Sequence, residues 1–151
     1  MKGRLLSLAA AAMLVACSNA EQPAPELAAE APKLWPAETM TWVADPALPE
    51  VKSVTLWGDP SAAEDHAMLR VFPAGFAPAP HTHPSTERVI VVSGYLVVEY
   101  KGGGEATVLG PGSYSEIPAG MPHAVRCATE QECKFVLSAP GLFSINFVRM
   151  D

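Results

Sequence analysis

Residues 75–94 read GFAPAPHTHPSTERVIVVSG. The stretch sets His81 and His83 two apart and Glu87 four further on, ahead of the β-branched run Val89-Ile90-Val91-Val92. Successive side chains of a strand point to opposite faces, so His81 and His83 share a face and aim at one spot. Two neutral imidazoles and a carboxylate converging on a point make an incomplete set of ligands for a divalent transition metal. The missing donor has to come from another strand, and His66 and His123 are the remaining histidines. His123 stands in GSYSEIPAGMPHAVRC (residues 112–127), again a turn followed by a strand pattern. The expected centre is therefore one ion held by His81, His83, Glu87 and His123 inside a β-barrel.

Outward from this stretch, Pro and Gly cut the sequence into short apolar runs at 51–57, 67–72, 87–93, 95–101 and 106–109. Further runs cover 114–117, 123–128, 133–138 and 142–148. Strands of this length with turn residues between them indicate an all-β sandwich or barrel. Ser93-Gly94 and Lys101-Gly102-Gly103-Gly104 read as hairpin turns. No helical periodicity is sustained beyond the N-terminal residues, and residues 60–66 offer one helical turn at most.

Together these passages resemble the two signature motifs of the cupin superfamily. The first asks for Gly, five residues, His-x-His, three or four residues, Glu, six residues and Gly; Gly75, His81, His83, Glu87 and Gly94 meet every spacing. The second asks for Gly, five residues, Pro-x-Gly, two residues, His, three residues and Asn. Gly112, Pro118, Gly120 and His123 match it, and Cys127 stands where the family often has Asn. The resemblance implies a double-stranded β-helix (jelly-roll) barrel. It also implies that His81, His83, Glu87 and His123 bind Fe, Mn, Ni, Cu or Zn.

Other side chains have open readings. Phe76 and Tyr114 are candidates for the ligand pocket at the barrel mouth, although an aromatic beside a strand is more often core. Arg70, alone among apolar neighbours in AMLRVF, either binds an anion inside the barrel or points outward into solvent, the commoner outcome for a lone arginine. His66 lies outside both motifs and is expected at the surface. Gly112 and Gly120 suit turns that need positive φ, with Pro118 and Pro122 stiffening the approach to His123. Glu116 and Tyr114 are the candidates for a general acid or base apart from the ligands. Cys127 and Cys133 flank a polar turn, and a hairpin there would set them nearly opposite, which favours a disulfide. The outward face of 87–93 would carry Arg88, Ile90 and Val92; an exposed apolar strand invites pairing, so a homodimer is expected.

Met1-Lys2-Gly3-Arg4 and the apolar stretch 5–16 have the layout of a secretory signal, too short for a membrane span. Leu14-Val15-Ala16-Cys17 resembles the lipobox of bacterial lipoproteins, which implies cleavage before Cys17 and lipidation of its thiol. Residues 1–16 are thus expected to be a lipoprotein signal peptide. Residues 17–33 would be the lipidated Cys17 and a Pro/Ala/Glu-rich disordered linker, and 34–151 the cupin barrel. The linker has no aromatic or β-branched residue after Cys17, and at about 3.1 Å per residue it reaches ~50 Å. Ser18 after the Cys favours the outer membrane, so the expected location is the periplasmic side of a bacterial cell envelope, attached to the membrane by its lipid alone. Cleavage removes Lys2 and Arg4, taking Lys+Arg from 10 to 8 against 16 Asp+Glu, a net charge of about −8. Phosphate contacts need a basic surface, so a nucleic-acid partner is excluded.

Three imidazoles and one carboxylate around a divalent ion leave a net charge near +1 and open coordination positions. Such a centre suits a small anionic or chelating molecule. The sequence therefore points to a cell-envelope metal-binding cupin with a small-molecule ligand. The alternative is a metal-dependent enzyme, either an Fe-dependent dioxygenase or a Lewis-acid isomerase or hydrolase.

Overall fold

The structure is a computed structural model that describes residues 31–128 and 130–150. The expected signal peptide, Cys17 and most of the linker lie outside the described residues. A compact unit spans Trp35–Asp151, and among the described residues no helix is long and apolar enough to cross a membrane. Regular helix is confined there to one 3-10 turn, Ala37–Thr39.

Eleven strands are described: β1 (Val43–Ala44), β2 (Lys52–Trp57), β3 (His66–Phe72), β4 (His81–Thr82), β5 (Glu87–Ser93) and β6 (Leu96–Tyr100). They continue with β7 (Thr107–Leu109), β8 (Tyr114–Ile117), β9 (His123–Cys127), β10 (Cys133–Ala139) and β11 (Asn146–Phe147). One antiparallel sheet has the order β1-β2-β3-β10-β5-β8 and the other β11-β4-β9-β6-β7. The all-β jelly roll expected from the motifs is thus the fold.

Alternation shows why these segments are strands. In β10, Cys133, Phe135, Leu137 and Ala139 are buried while Lys134, Val136 and Ser138 are not. β5 buries Glu87, Val89 and Val91 and turns Ile90 and Val92 outward, each about half exposed. Side chains from both sheets meet in one core, with Val89 and Leu137 from the first and Leu96 and Cys127 from the second. Phe72, on β3, packs edge-on against Phe76 and Phe135 at centroid distances of 5.1 and 5.0 Å. Phe76, half-buried, packs against this core and does not line the cavity inside the barrel, a correction to its place in the ligand pocket.

Gly94 turns β5 into β6 with φ 75°. A Cβ there would sit 2.6 Å from the Glu132 carbonyl oxygen and 2.8 Å from Cys133 Cα, so only glycine fits both the angle and the space. Within the expected run 142–148 only β11 forms a ladder. Phe143 N–H instead donates to the Pro60 carbonyl, and the Ser144 carbonyl accepts from His83. Residues 60–63 make turns and no helix.

Cys127 and Cys133 are joined in a disulfide. The hairpin offered as the reason for their proximity does not exist: β9 and β10 lie in different sheets, so the bridge ties sheet to sheet. The closed loop is short, with a sequence separation of 6, which limits the entropic gain to about 2 kcal/mol. Replacing both cysteines by serine is expected to lower the urea-unfolding free energy by about that amount while leaving metal content unchanged. Loss of metal with the disulfide would show that the bridge also sets the site.

Candidate metal centre

The two motifs meet because their strands are neighbours. β4 and β9 pair in the five-stranded sheet with His81 directly opposite His123. His83 follows β4, and its carbonyl accepts a 2.8 Å hydrogen bond from Gly120 N–H, which ties the first motif to the turn of the second. Gly120 makes that turn with φ 73°, as its place in Pro-x-Gly suggested. Glu87 opens β5 in the other sheet, opposite Ile117.

The histidines are 3, 4 and 1 % exposed at 81, 83 and 123. Each donates its Nδ1–H to a backbone carbonyl: His81 to Ala79 (2.8 Å), His83 to Ser144 (2.7 Å) and His123 to Met121 (3.0 Å). Those bonds fix the tautomer and leave every Nε2 as a lone-pair donor. The three rings offer ligand atoms within 4.8 Å of one another, the arrangement of a group that can hold a metal ion. Nε2 of His83 and of His123 is buried without a hydrogen-bond partner, a costly arrangement unless a cation takes up the lone pairs.

Glu87 reaches the cluster through His83, with Oε2 2.9 Å from Nε2. The separation is that of an ion pair, yet Nε2 has no proton to donate, because the ring proton is committed at Nδ1 to the Ser144 carbonyl. A lone pair and a carboxylate oxygen so close repel each other unless a positive species, a proton or a metal ion, lies between them. Two cis ligands each ~2.1 Å from an ion are about 3.0 Å apart, so the observed separation fits a shared cation. Burial pushes the Glu87 carboxyl up, but a proton at His83 Nε2, which would make the hydrogen bond, and positive charge at His83, His123 and Arg70 outweigh burial and hold the group below its ordinary range.

Burial pushes the His81 imidazole down to about 4, against the opposing Ala79 hydrogen bond. Burial lowers His123 in the same direction. Both rings are therefore neutral at pH 7 and able to ligate. An unfolded histidine takes its proton near pH ~6.5, whereas folded His81 takes it only near 4. Stability of metal-free protein is thus complete above ~6.5 and falls by about 3 kcal/mol as pH drops to 4. Urea midpoints of chelator-treated protein between pH 7 and 4 check this; a flat profile would contradict it.

Around the ligands lies a cavity of about 20 Å³, walled by Phe72, Val89, Leu96, Leu137 and Ile145 among others. That is room for about one water. Its polar lining besides the four candidate ligands is Arg70 and Ser115. Arg70 is 2 % exposed, which corrects the outward, solvated reading. Its Nη2 donates to Asp45 Oδ2 at 2.5 Å, and its guanidinium lies 5.2 Å from the Phe143 ring centroid. Phe143 also stacks on His83 at 4.7 Å with planes 22° apart. Neither Asp45 nor Phe143 was singled out from sequence: no spacing signals an acid 25 positions from its arginine, and Phe143 sits in a run that reads as strand.

Three further expectations are corrected. Tyr114 is 55 % exposed and bonds Glu116 through its hydroxyl, outside the cavity. Glu116 faces solvent and pairs with Arg88 at 2.8 Å, so neither is placed to move a proton at the centre. His66 is fully buried, not superficial: it stands edge-on to Phe143, with Nδ1 3.2 Å from the Glu64 carbonyl oxygen.

Residues 10–146 match the sequence profile of DUF4437, a domain of unknown function. This chain belongs to the DUF4437 family. No curated protein matches the DUF4437 chain, but solved structures do. The polyketide cyclase RemF from Streptomyces resistomycificus superposes with a TM-score of 0.65 at 22% identity, covering 80% of this chain and 88% of that one. The DMSP lyase DddQ from Ruegeria pomeroyi DSS-3 gives 0.62 at 19% identity, covering 76% and 64%. A cupin-like protein from Thermotoga maritima gives 0.53 at 21% identity, covering 64% and 77%. At these identities the likeness establishes that this DUF4437 domain has the cupin fold.

Proposed function

We propose that this protein is a cell-envelope metal-binding cupin, in which His81, His83, Glu87 and His123 hold one divalent transition metal and present it to a small anionic or chelating molecule. The observation that carries the reading is the common tethering of three Nδ1–H groups to backbone carbonyls, which turns three Nε2 lone pairs toward one buried point beside a carboxylate. Nitrogen and oxygen donors of this kind suit Zn, Ni, Cu, Mn and Fe alike. Elemental analysis of the purified protein and of His81→Ala tests it. The wild type is expected to carry one ion per chain. The variant should lose affinity by well over the ~10–100-fold that losing a residue which only hydrogen-bonds a ligand costs. Equal metal content in the two proteins would overturn the assignment.

Binding is favoured over catalysis by the lining of the cavity, where Arg70 and Ser115 are the polar side chains besides the ligands and neither is a general acid or base at neutral pH. The enzymatic alternative draws on the metal alone: dioxygenase chemistry with Fe, or Lewis-acid isomerisation or hydrolysis with a redox-inert ion. Two of the matched structures are named as a cyclase and a lyase, so the fold supports such activity elsewhere. Oxygen uptake by Fe-loaded protein offered chelating acids and diketones separates binding from the dioxygenase alternative, and uptake would favour the enzyme.

Lipidation of Cys17 belongs to the same proposal; Cys17→Ser is expected to release the protein from membranes. The outward Ile90 and Val92, with Tyr114 opposite Ile90, supply the apolar face for a homodimer. Light scattering of wild type and Ile90→Lys checks that assignment, with a monomeric variant expected.

A further inference from the structure

Beside the metal cavity lies a groove of about 540 Å³, within the size range of small-molecule sites. Its walls include Val43, Ala44, Pro46, Val54, Met68 and Phe143. Ile145 lines both spaces, Arg70 lines the inner one and Asp45 the outer one. The Arg70–Asp45 pair therefore stands in the partition between groove and metal.

Asp45 is an incomplete partner for that arginine. Its Oδ1 accepts from the backbone N–H groups of Ala47 (2.8 Å) and Leu48 (3.1 Å), which leaves Oδ2 alone to meet Nη2 of Arg70. Arg70 Nε is buried and has no hydrogen-bond partner. A guanidinium offers parallel N–H groups that fit both oxygens of one carboxylate, and a free carboxylate would take Nε and Nη2 together. The asymmetry of exposure helps the exchange: the Asp45 side chain is 12 % exposed against 3 % for Arg70, so the acid has water to turn to and the arginine has none.

We propose that Asp45 is an internal stand-in for the ligand's carboxylate. In this account the ligand is a monocarboxylate with an apolar body. The body lies in the groove, the carboxylate displaces Asp45 from Arg70, and the acid is thereby brought to the metal cavity. The proposal rests on reading the barrel interior as the ligand site and adds to it the ligand class and a gate, the Asp45 side chain, that swings aside on exchange.

The test uses full-length zinc-loaded protein, with 4-phenylbutanoate as probe and 4-phenylbutanamide as its neutral counterpart. Asp45→Asn, which frees Arg70, is expected to bind the acid at least tenfold more tightly than wild type, with no gain for the amide. Arg70→Met should erase the preference for acid over amide. Hydrogen exchange in the wild type guards against a misfolded variant: the acid should speed exchange at the Ala47 and Leu48 amides as their bonds to Asp45 break, and the amide should not. Unchanged affinity in Asp45→Asn, or no change in exchange at these amides under saturating acid, would overturn the gate. Metal content measured on the same samples separates the claims. Protein that takes up no zinc on loading yet shows the acid effect contradicts the metal centre and supports the gate; protein that takes up one zinc per chain yet ignores the acid does the reverse.

Discussion

Saturating zinc is expected to raise the melting temperature of chelator-treated protein by more than 10 °C. A ligand that binds only the folded chain stabilises it by RT ln(1 + [L]/Kd), about 4 kcal/mol at a thousandfold excess over Kd. For a domain of this size each kilocalorie moves Tm by several degrees. The size of the effect follows from what the fold holds ready: three buried imidazoles already oriented by backbone carbonyls, and a carboxylate held against one of them. Little ordering remains to be done on binding, so the intrinsic affinity is not spent on it. Differential scanning calorimetry with and without metal checks the expectation. A shift that survives in His81→Ala would place the ion elsewhere.

The second large effect concerns the pair in the partition. Asp45→Ala is expected to destabilise the protein by ~3–5 kcal/mol, because it strands a guanidinium with almost no access to water. It also removes the acceptor for the Ala47 and Leu48 amides. Arg70→Met should cost clearly less, since the freed carboxylate can turn to solvent and a methionine fills the space beside Phe72 and Phe143. The double variant should lie nearer wild type than Asp45→Ala alone, as replacing a buried pair by apolar groups is often near neutral. Denaturant melts of the three variants decide it. Equal costs for the two single changes would mean that the arginine, too, finds water or another partner.

The parts of this molecule readable in advance are those whose chemistry is local. The alternation in 87–93 shows directly which side chains face the core, and β5 buries Glu87, Val89 and Val91 as a strand with that pattern must. The spacing of His81 and His83 is equally local, because side chains two apart in an extended chain share a face, whereas the Gly120 N–H bond to the His83 carbonyl joins the two motifs across four intervening strands. What escaped reading depends on contacts between sheets or distant segments. Arg70 looks like a surface residue until Asp45 is laid over it, and no pattern in the intervening residues announces that. The Cys127–Cys133 bridge was expected across a hairpin, but the chain crosses from one sheet to the other in those few residues. Phe76 and Tyr114 show the converse: an aromatic beside a strand reads the same whether it packs against Phe72, as Phe76 does, or lies on the outer face, as Tyr114 does.

X-ray absorption at the edge of the bound metal, with anomalous diffraction to place the ion, addresses the central claim most directly. The account expects one ion per chain with three nitrogen neighbours and at least one oxygen at ~2.0–2.2 Å, the nitrogens being Nε2 of His81, His83 and His123 and an oxygen coming from Glu87. An ion bound away from these side chains, or fewer than three imidazole neighbours in fully loaded protein, would contradict it.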